Sequence, residues 1–127
     1  MGTDCIQERE VGNVTVLAVD RNLKGSLEWS LKERIDELVR KGRLQIVVDL
    51  KQVPYMDSSE IGRLIRAHFS VRQAGGRVRL CNLSQKVAAV LKLSKLETVL
   101  DLYETEEAAL ASLLASETRK NLSTKDE

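Results

Sequence analysis

Residues 46–62, IVVDLKQVPYMDSSEIG, decide the predicted fold of this chain. The first five are apolar apart from one aspartate, a pattern typical of a strand that is covered on both faces. Pro54 follows, and proline cannot continue a central strand. Asp57 and two serines then stand where a helical pattern begins. The stretch therefore predicts a buried strand, a short loop and a helix.

Length and composition exclude several classes of protein. The chain has 127 residues, 43% of them hydrophobic and 31% charged, which predicts one folded domain. A net charge of +1 does not favour nucleic acid or an anionic membrane as a direct partner. No apolar run approaches the roughly 20 residues of a membrane span, and residues 1–10 do not resemble a signal peptide. We therefore expect a cytoplasmic protein, with Cys5 and Cys81 as small thiols without metal ligands around them.

Along the chain, the spacing of apolar residues alternates between that of a strand and that of a helix, which predicts an α/β fold. Strands are predicted at residues 5–10, 14–19, 44–50, 77–82 and 98–103, and helices after the caps Ser26, Ser84 and Thr105 and over residues 59–73. Short loops between strand and helix favour parallel pairing, with antiparallel pairing only at the N-terminal hairpin. We expect one domain over residues 1–116, with a mixed, mostly parallel sheet and about four flanking helices. Residues 117–127 form a polar tail.

Groups for catalysis are scarce, so an enzyme is the weaker hypothesis. His68 is the only histidine and lies on the apolar side of the second predicted helix, as a packed core residue would. Gly75 and Gly76 follow a helix, whereas phosphate-binding glycines precede one. Neither cysteine has the positive surroundings of a reactive thiolate. We predict no catalytic residue, cofactor or metal site.

The motif around Asp57 has two interpretations. Asp57 with Glu60 three residues later has the spacing of a capping box, which contributes about 1 kcal/mol and needs no function. Two features go beyond a cap. Ser58 and Ser59 are redundant if Asp57 caps the helix, and Gly62 costs about 0.5–1 kcal/mol relative to alanine unless something approaches it closely.

The same residues resemble a known family signature. Val48–Asp49–Leu50 with Val53, followed by Met56–Asp57–Ser58–Ser59 and Ile61–Gly62, is similar to the D-L-x-x-V and M-D-S-S/T-G-L-G pattern of STAS domains in anti-sigma factor antagonists. Residues 14–16 with 25–26, 75–78 and 90–96 resemble further segments of that family, so the resemblance spans roughly residues 5–115. The chain departs from the pattern at Glu60 and Lys95, where the family usually has glycine.

The resemblance implies a bacterial signal-transduction protein that regulates transcription by partner switching. In that family an anti-sigma factor, itself a GHKL-type serine kinase, phosphorylates the serine after the aspartate, which is Ser58 here. The unphosphorylated form captures the anti-sigma factor and frees the sigma factor, and a PP2C-type phosphatase resets the switch.

We expect the partner surface to surround Ser58 at the following residues: Tyr55, Asp57, Ser59, Glu60, Gly62, Arg63 and Arg66. Solvent should screen the charges of Asp57 and Glu60. Two alternatives stay open. One is a non-switching STAS scaffold subunit, as in a stressosome or a lipid-transport complex. The other is a small-molecule or nucleotide sensor, for which the sequence offers no pocket signature.

Overall fold

The structure is a computed structural model that describes residues 6–20 and 27–114, with side chains from 6–19 and 31–114. Three predictions lie outside these residues. They are the environment of Cys5, the cap at Ser26 and the polar tail over residues 117–127.

The core of the molecule is a five-stranded sheet whose spatial order follows the chain order. The strands are β1 (Ile6–Val11), β2 (Val14–Asp20), β3 (Gln45–Gln52), β4 (Arg77–Cys81) and β5 (Asp101–Tyr103). β1 pairs antiparallel with β2, and every later pair is parallel. β3 lies at the centre, and Val47 and Val48 have no exposed surface. The predicted mixed sheet with an N-terminal hairpin at its edge is confirmed.

The helices cover the two faces of the sheet unequally. They are α1 (Leu27–Arg40), α2 (Ser58–Gln73), α3 (Gln85–Leu93) and α4, which is described over residues 106–114. Because neighbouring parallel strands are consecutive and such crossovers are right-handed, α1, α2 and α3 all lie on one face. Their apolar residues form a single cluster with one side of β2, β3 and β4. α4 packs Ala109 and Leu113 on the other face.

Local chemistry explains where the helices begin and end. The Ser84 hydroxyl accepts a hydrogen bond from the Val87 N–H at 3.1 Å, and the Thr105 hydroxyl accepts one from the Ala108 N–H at 3.0 Å. Both are N-caps, as predicted. After α2, a Cβ on Gly76 would lie 2.6 Å from the Cβ of Leu44 and closer still to its carbonyl oxygen. Glycine is therefore required where α2 returns to β4 beside the start of β3.

The last predicted strand is shorter than expected. Residues 96–98 form a 3-10 helix (Leu96–Thr98), and β5 begins only at Asp101. Lys95 is in the left-handed conformation with φ of 60°, which turns the chain at the end of α3. The Leu100 N–H then donates a hydrogen bond to the Leu96 carbonyl at 2.9 Å. The backbone here therefore forms its hydrogen bonds within the turn and not with a neighbouring strand.

Candidate functional site

A capping box begins α2, as the spacing of Asp57 and Glu60 predicts. The Asp57 carboxylate accepts a hydrogen bond from the Glu60 N–H at 2.9 Å, and the Glu60 carboxylate accepts one from the Asp57 N–H at 2.9 Å. This reciprocal pair satisfies two backbone donors that a helix start otherwise leaves open. The loop and the first turn of α2 are thereby held in one conformation.

The environment of Glu60 corrects the expectation that solvent screens its charge. Glu60 is only 8% exposed, because its side chain reaches back toward the cap instead of outward. It also borders a cavity of about 20 Å³ between α1 and α2, together with Leu31 and Leu64. A carboxylate in this position acts on its neighbours through a medium that screens less than water does.

The two serines have different roles at the helix start. The Ser59 hydroxyl donates to the Asp57 carboxylate at 2.8 Å and so supports the cap. Ser58 is the first residue of α2, is exposed and takes no part in the capping box. The redundancy that the sequence suggests therefore applies to Ser58 and not to Ser59.

The loop that precedes α2 is fixed at three points. Val53 and Met56 are buried at 0% and 5% exposure and anchor the loop in the core. The Ser84 hydroxyl donates to the Pro54 carbonyl at 2.9 Å, so the residue that caps α3 also ties the loop to α3. Tyr55, between the two anchors, is turned outward and is 50% exposed.

An open groove of about 490 Å³ runs beside Ser58, between α2 and α3, and we call it the α2–α3 groove. Its lining residues are mainly apolar: Tyr55, Met56, Asp57, Ser58, Ile61, Gly62, Ile65, Val90, Ser94 and Leu96. A Cβ built on Gly62 would meet no atom within 4 Å. The fold of the described residues therefore does not require glycine at this position.

The predicted site residues divide between two sides of α2. Tyr55, Asp57, Ser58 and Gly62 line the α2–α3 groove. Arg66 is exposed one turn after Gly62, and Ser59 is exposed at the helix start. Glu60 and Arg63 instead line the small cavity against α1, so the structure does not bring them to the groove.

Sequence reasoning missed the opposite wall of this groove. Val90, Ser94 and Leu96 form it, whereas the sequence predicts only that a helix follows the Ser84 cap. Phe69 follows Ile65 by one turn of α2 and is 51% exposed. The sequence carries no signal for this wall, because four apolar residues among residues 90–96 are no more than one buried helical stripe requires.

His68 and Cys81 are both buried, and His68 is a packed core residue as predicted. His68 is 2% exposed, and burial lowers the pKa of its imidazole, with Arg72 and Arg79 acting in the same direction and Asp101 opposing them. Cys81 is fully buried, and burial, with a smaller contribution from Asp49, raises the pKa of its thiol to about 12.

Two further findings concern the described residues only. Their helices include none that is both long and apolar enough to cross a membrane. Within the same residues, His, Cys, Asp and Glu side chains do not gather in threes as a metal ion would require.

Comparison with known proteins decides the family. A family model described as the STAS domain matches residues 6–109. The chain belongs to the STAS domain family. This STAS protein is 29% identical over 84 residues to the anti-sigma F factor antagonist of Paenibacillus polymyxa, a match that covers 65% of this chain and 72% of the relative. It is 31% identical over 101 residues to the TM1081 homolog of Thermotoga neapolitana, assigned as an anti-sigma factor antagonist, covering 79% and 89% of the two chains.

A solved structure agrees with this assignment. The crystal structure of TM1081 from Thermotoga maritima, also assigned as an anti-sigma factor antagonist, superposes with a TM-score of 0.77 at 26% identity. The alignment covers 84% of this chain and 92% of that chain. By sequence and structure this STAS protein is therefore of the anti-sigma factor antagonist kind, a regulatory rather than an enzymatic type of protein.

Proposed function

We propose that this protein is a phosphorylation-controlled binding module whose phosphoacceptor is Ser58. Unphosphorylated, it sequesters an anti-sigma factor that is a GHKL-type serine kinase and so releases a sigma factor. Phosphorylation of Ser58 by that kinase breaks the complex, and a PP2C-type phosphatase restores it. The exchange takes place in the cytoplasm and needs no direct contact with nucleic acid or membrane.

The observation that carries this proposal is the position of Ser58. Its hydroxyl is exposed, is unnecessary for the cap and lies at the margin of the α2–α3 groove. Ser59, one residue later, donates a hydrogen bond from its hydroxyl to the Asp57 carboxylate. A kinase that reacted with Ser59 would have to break this bond, whereas Ser58 can be approached without disturbing the helix start.

The groove next to Ser58 supports a docking role. Gly62 lies there with open space beyond its Cα, although alanine would stabilise the helix better. A residue that costs stability and has no partner within the fold is expected where another surface approaches the backbone. Tyr55 adds an exposed aromatic ring at the same end, and such rings are frequent anchors of protein interfaces.

Electrostatics explain how a phosphate would act on binding more than on folding. It adds about −1.5 to −2 charges at neutral pH. At the first residue of α2 the positive end of the helix dipole stabilises that charge. The buried Glu60 carboxylate opposes it, more strongly than a screened surface charge would. A docked partner would enclose the phosphate, and an interfacial charge left without a cation costs on the order of 2–5 kcal/mol.

Titration calorimetry against candidate GHKL-type anti-sigma factors tests the proposal. Phosphorylation of Ser58 should weaken binding at least about 20-fold, because each 1.4 kcal/mol changes affinity tenfold. Ser58→Asp should reproduce part of this loss, since one carboxylate carries less charge. Ser58→Ala should bind like the wild type but should not respond to the kinase. Ser59→Ala is the matched control and should remain a substrate, with phosphate found on Ser58 by mass spectrometry.

The test also separates this function from the non-switching scaffold. If Ser58→Asp binds as tightly as the wild type, or if phosphate is found equally on the Ser58→Ala variant, the switch is wrong. A scaffold would instead assemble into large particles irrespective of Ser58, which size-exclusion chromatography with light scattering detects. A third variant, Glu60→Gly, reports on the departure from the family pattern. It should tighten the unphosphorylated complex if the Glu60 carboxylate already opposes docking.

A further inference from the structure

The exposed apolar surface of the described residues is concentrated along the α2–α3 groove. Four large hydrophobic side chains are exposed among these residues: Tyr55, Phe69, Leu93 and Val99, at 50%, 51%, 85% and 36%. Tyr55 lines the groove, and Leu93 directly precedes the lining residue Ser94. Phe69 follows the lining residue Ile65 by one helical turn. A concentration of exposed apolar side chains along one groove is typical of an interaction surface.

Val99 lies close to Phe69, because both are neighbours of the buried His68. The backbone of Val99 acts on the buried His68 imidazole and raises its pKa, and the His68 ring meets the edge of Phe69 with centroids 5.3 Å apart. Val99, directly after the 3-10 helix, therefore lies near the third turn of α2. The apolar surface consequently extends from Tyr55 at the helix start to Phe69 and Val99, about 16 Å along the axis of α2 at 1.5 Å per residue.

The walls of the groove carry an excess of positive charge. α2, α3 and residues 94–98 contain five exposed lysines and arginines against one exposed glutamate, while the whole chain has a net charge of only +1. Arg63 and Glu60 are left out of this comparison, because they line the cavity against α1. Arg66 follows Gly62 by one turn, and Lys86 precedes Val90 by one turn, so exposed cations border both walls. Glu97 and Asp57 are the acidic exceptions, and Asp57 lies at the mouth of the groove.

The walls also restrict the backbone of whatever binds. Most of their residues belong to helices, where N–H and C=O groups are already paired within each helix. An extended segment would therefore find few main-chain partners there, unlike one that joins the edge of a sheet. A helix satisfies its own backbone and needs only apolar contacts and complementary charge.

We propose that the α2–α3 groove binds an acidic amphipathic helix of about three turns, contributed by the protein partner. Its apolar stripe packs between α2 and α3, and its Asp and Glu side chains lie toward Arg66 and Lys86. This deepens the proposed function, on which it rests only for the identity of the partner. It also supplies a reason for the switch, because a phosphate on Ser58 would repel an acidic helix at the mouth of the groove.

Two synthetic helical peptides of about 16 residues test the inference with the full unphosphorylated chain. Both carry the same leucine stripe, one with Glu and the other with Lys at the flanking positions. Fluorescence anisotropy should show that the acidic peptide binds at least about tenfold more tightly, and that added salt weakens it. Amide chemical shifts should change at Gly62, Ile65, Val90 and Leu96.

Charge and apolar variants localise the effect. The double variant Arg66→Glu/Lys86→Glu should lower the affinity for the acidic peptide at least about fivefold and raise the affinity for the basic peptide. Arg40→Glu/Lys41→Glu reverses two exposed cations at the end of α1 and should change neither. Leu93→Ser should weaken binding of the acidic peptide without lowering the melting temperature, because the Leu93 side chain is 85% exposed.

Several outcomes overturn the inference. They are no binding of the acidic peptide at about 1 mM, equal affinity for both peptides, or shifts confined to another surface. Preferential binding of phosphatidylglycerol vesicles or duplex DNA, lost in the same double variant, would assign the groove to a membrane or to nucleic acid instead. If the peptide fails while Ser58→Asp still weakens the anti-sigma factor, only this inference falls. If the peptide binds while Ser58→Asp leaves the affinity for the anti-sigma factor unchanged, the groove is a docking site and the phosphorylation switch is wrong.

Discussion

The substitution Gly62→Ala tests whether glycine at position 62 serves the fold or the binding of a partner. Gly62 is the fifth residue of α2, where glycine is less favourable than alanine by about 0.5–1 kcal/mol. A Cβ at this position meets no atom of the described chain within 4 Å, so the substitution creates no clash within the domain. The free protein should therefore become more stable by about 0.5–1 kcal/mol, or roughly 2–6 °C in melting temperature.

The same methyl group should weaken the complex. It projects into the open space beside Ser58, where a docked partner would have to retreat or be overpacked. Overpacking of a close contact costs about 1–3 kcal/mol, which corresponds to roughly a 5- to 150-fold loss of affinity. Stability and binding should thus change in opposite directions, which a purely structural role does not produce.

Urea unfolding and titration calorimetry with the anti-sigma factor measure the two effects on one preparation. Gly76→Ala is the matched control, because its Cβ would collide with Leu44 and the variant should lose stability. If Gly62→Ala destabilises the free protein, the open space inferred beside Gly62 is wrong. If it stabilises the protein and leaves affinity unchanged, Gly62 lies outside the interface.

Three further predictions concern positions where the structure shows strain or burial. Lys95→Gly should stabilise the protein by about 0.5–1 kcal/mol in urea unfolding, because φ of 60° strains a side chain but not glycine, and Lys95→Ala should show no such gain. The lowered pKa of His68 means that the unfolded chain takes up the proton first, so stability should be fully present above about pH 6.5 and fall below it. In His68→Gln the free energy of unfolding should fall less steeply with decreasing pH, by at most about 1.4 kcal/mol per pH unit. An unchanged slope would show that His68 is not the group that titrates. Cys81 should resist alkylation at pH 8 in the native protein and react on unfolding, and rapid native labelling mapped to Cys81 by mass spectrometry would disprove its burial.

Local sequence determined the elements and the cap. The apolar run at residues 46–50 is buried at the centre of the sheet, and the caps at Asp57, Ser84 and Thr105 each lie where their spacing predicts. These features depend on residues at most four positions apart, so periodicity and side-chain chemistry suffice to identify them. The prediction of a strand at residues 98–103 was partly wrong, because β5 begins only at Asp101. Lysine rarely adopts the left-handed conformation that Lys95 has, so the sequence gives no signal of the turn and the 3-10 helix there.

Tertiary structure decided which residues share a surface. Glu60 and Arg63 stand within five residues of Ser58, yet they line the cavity against α1, because the helical period turns them to the opposite side of α2. Val90 and Leu96 are more than 30 residues away and form the facing wall of the groove. They reach it because consecutive parallel strands with right-handed crossovers place α2 and α3 side by side on one face of the sheet. A helical pattern determines which face of a helix is apolar, but only packing against a neighbour determines how much of that face remains exposed.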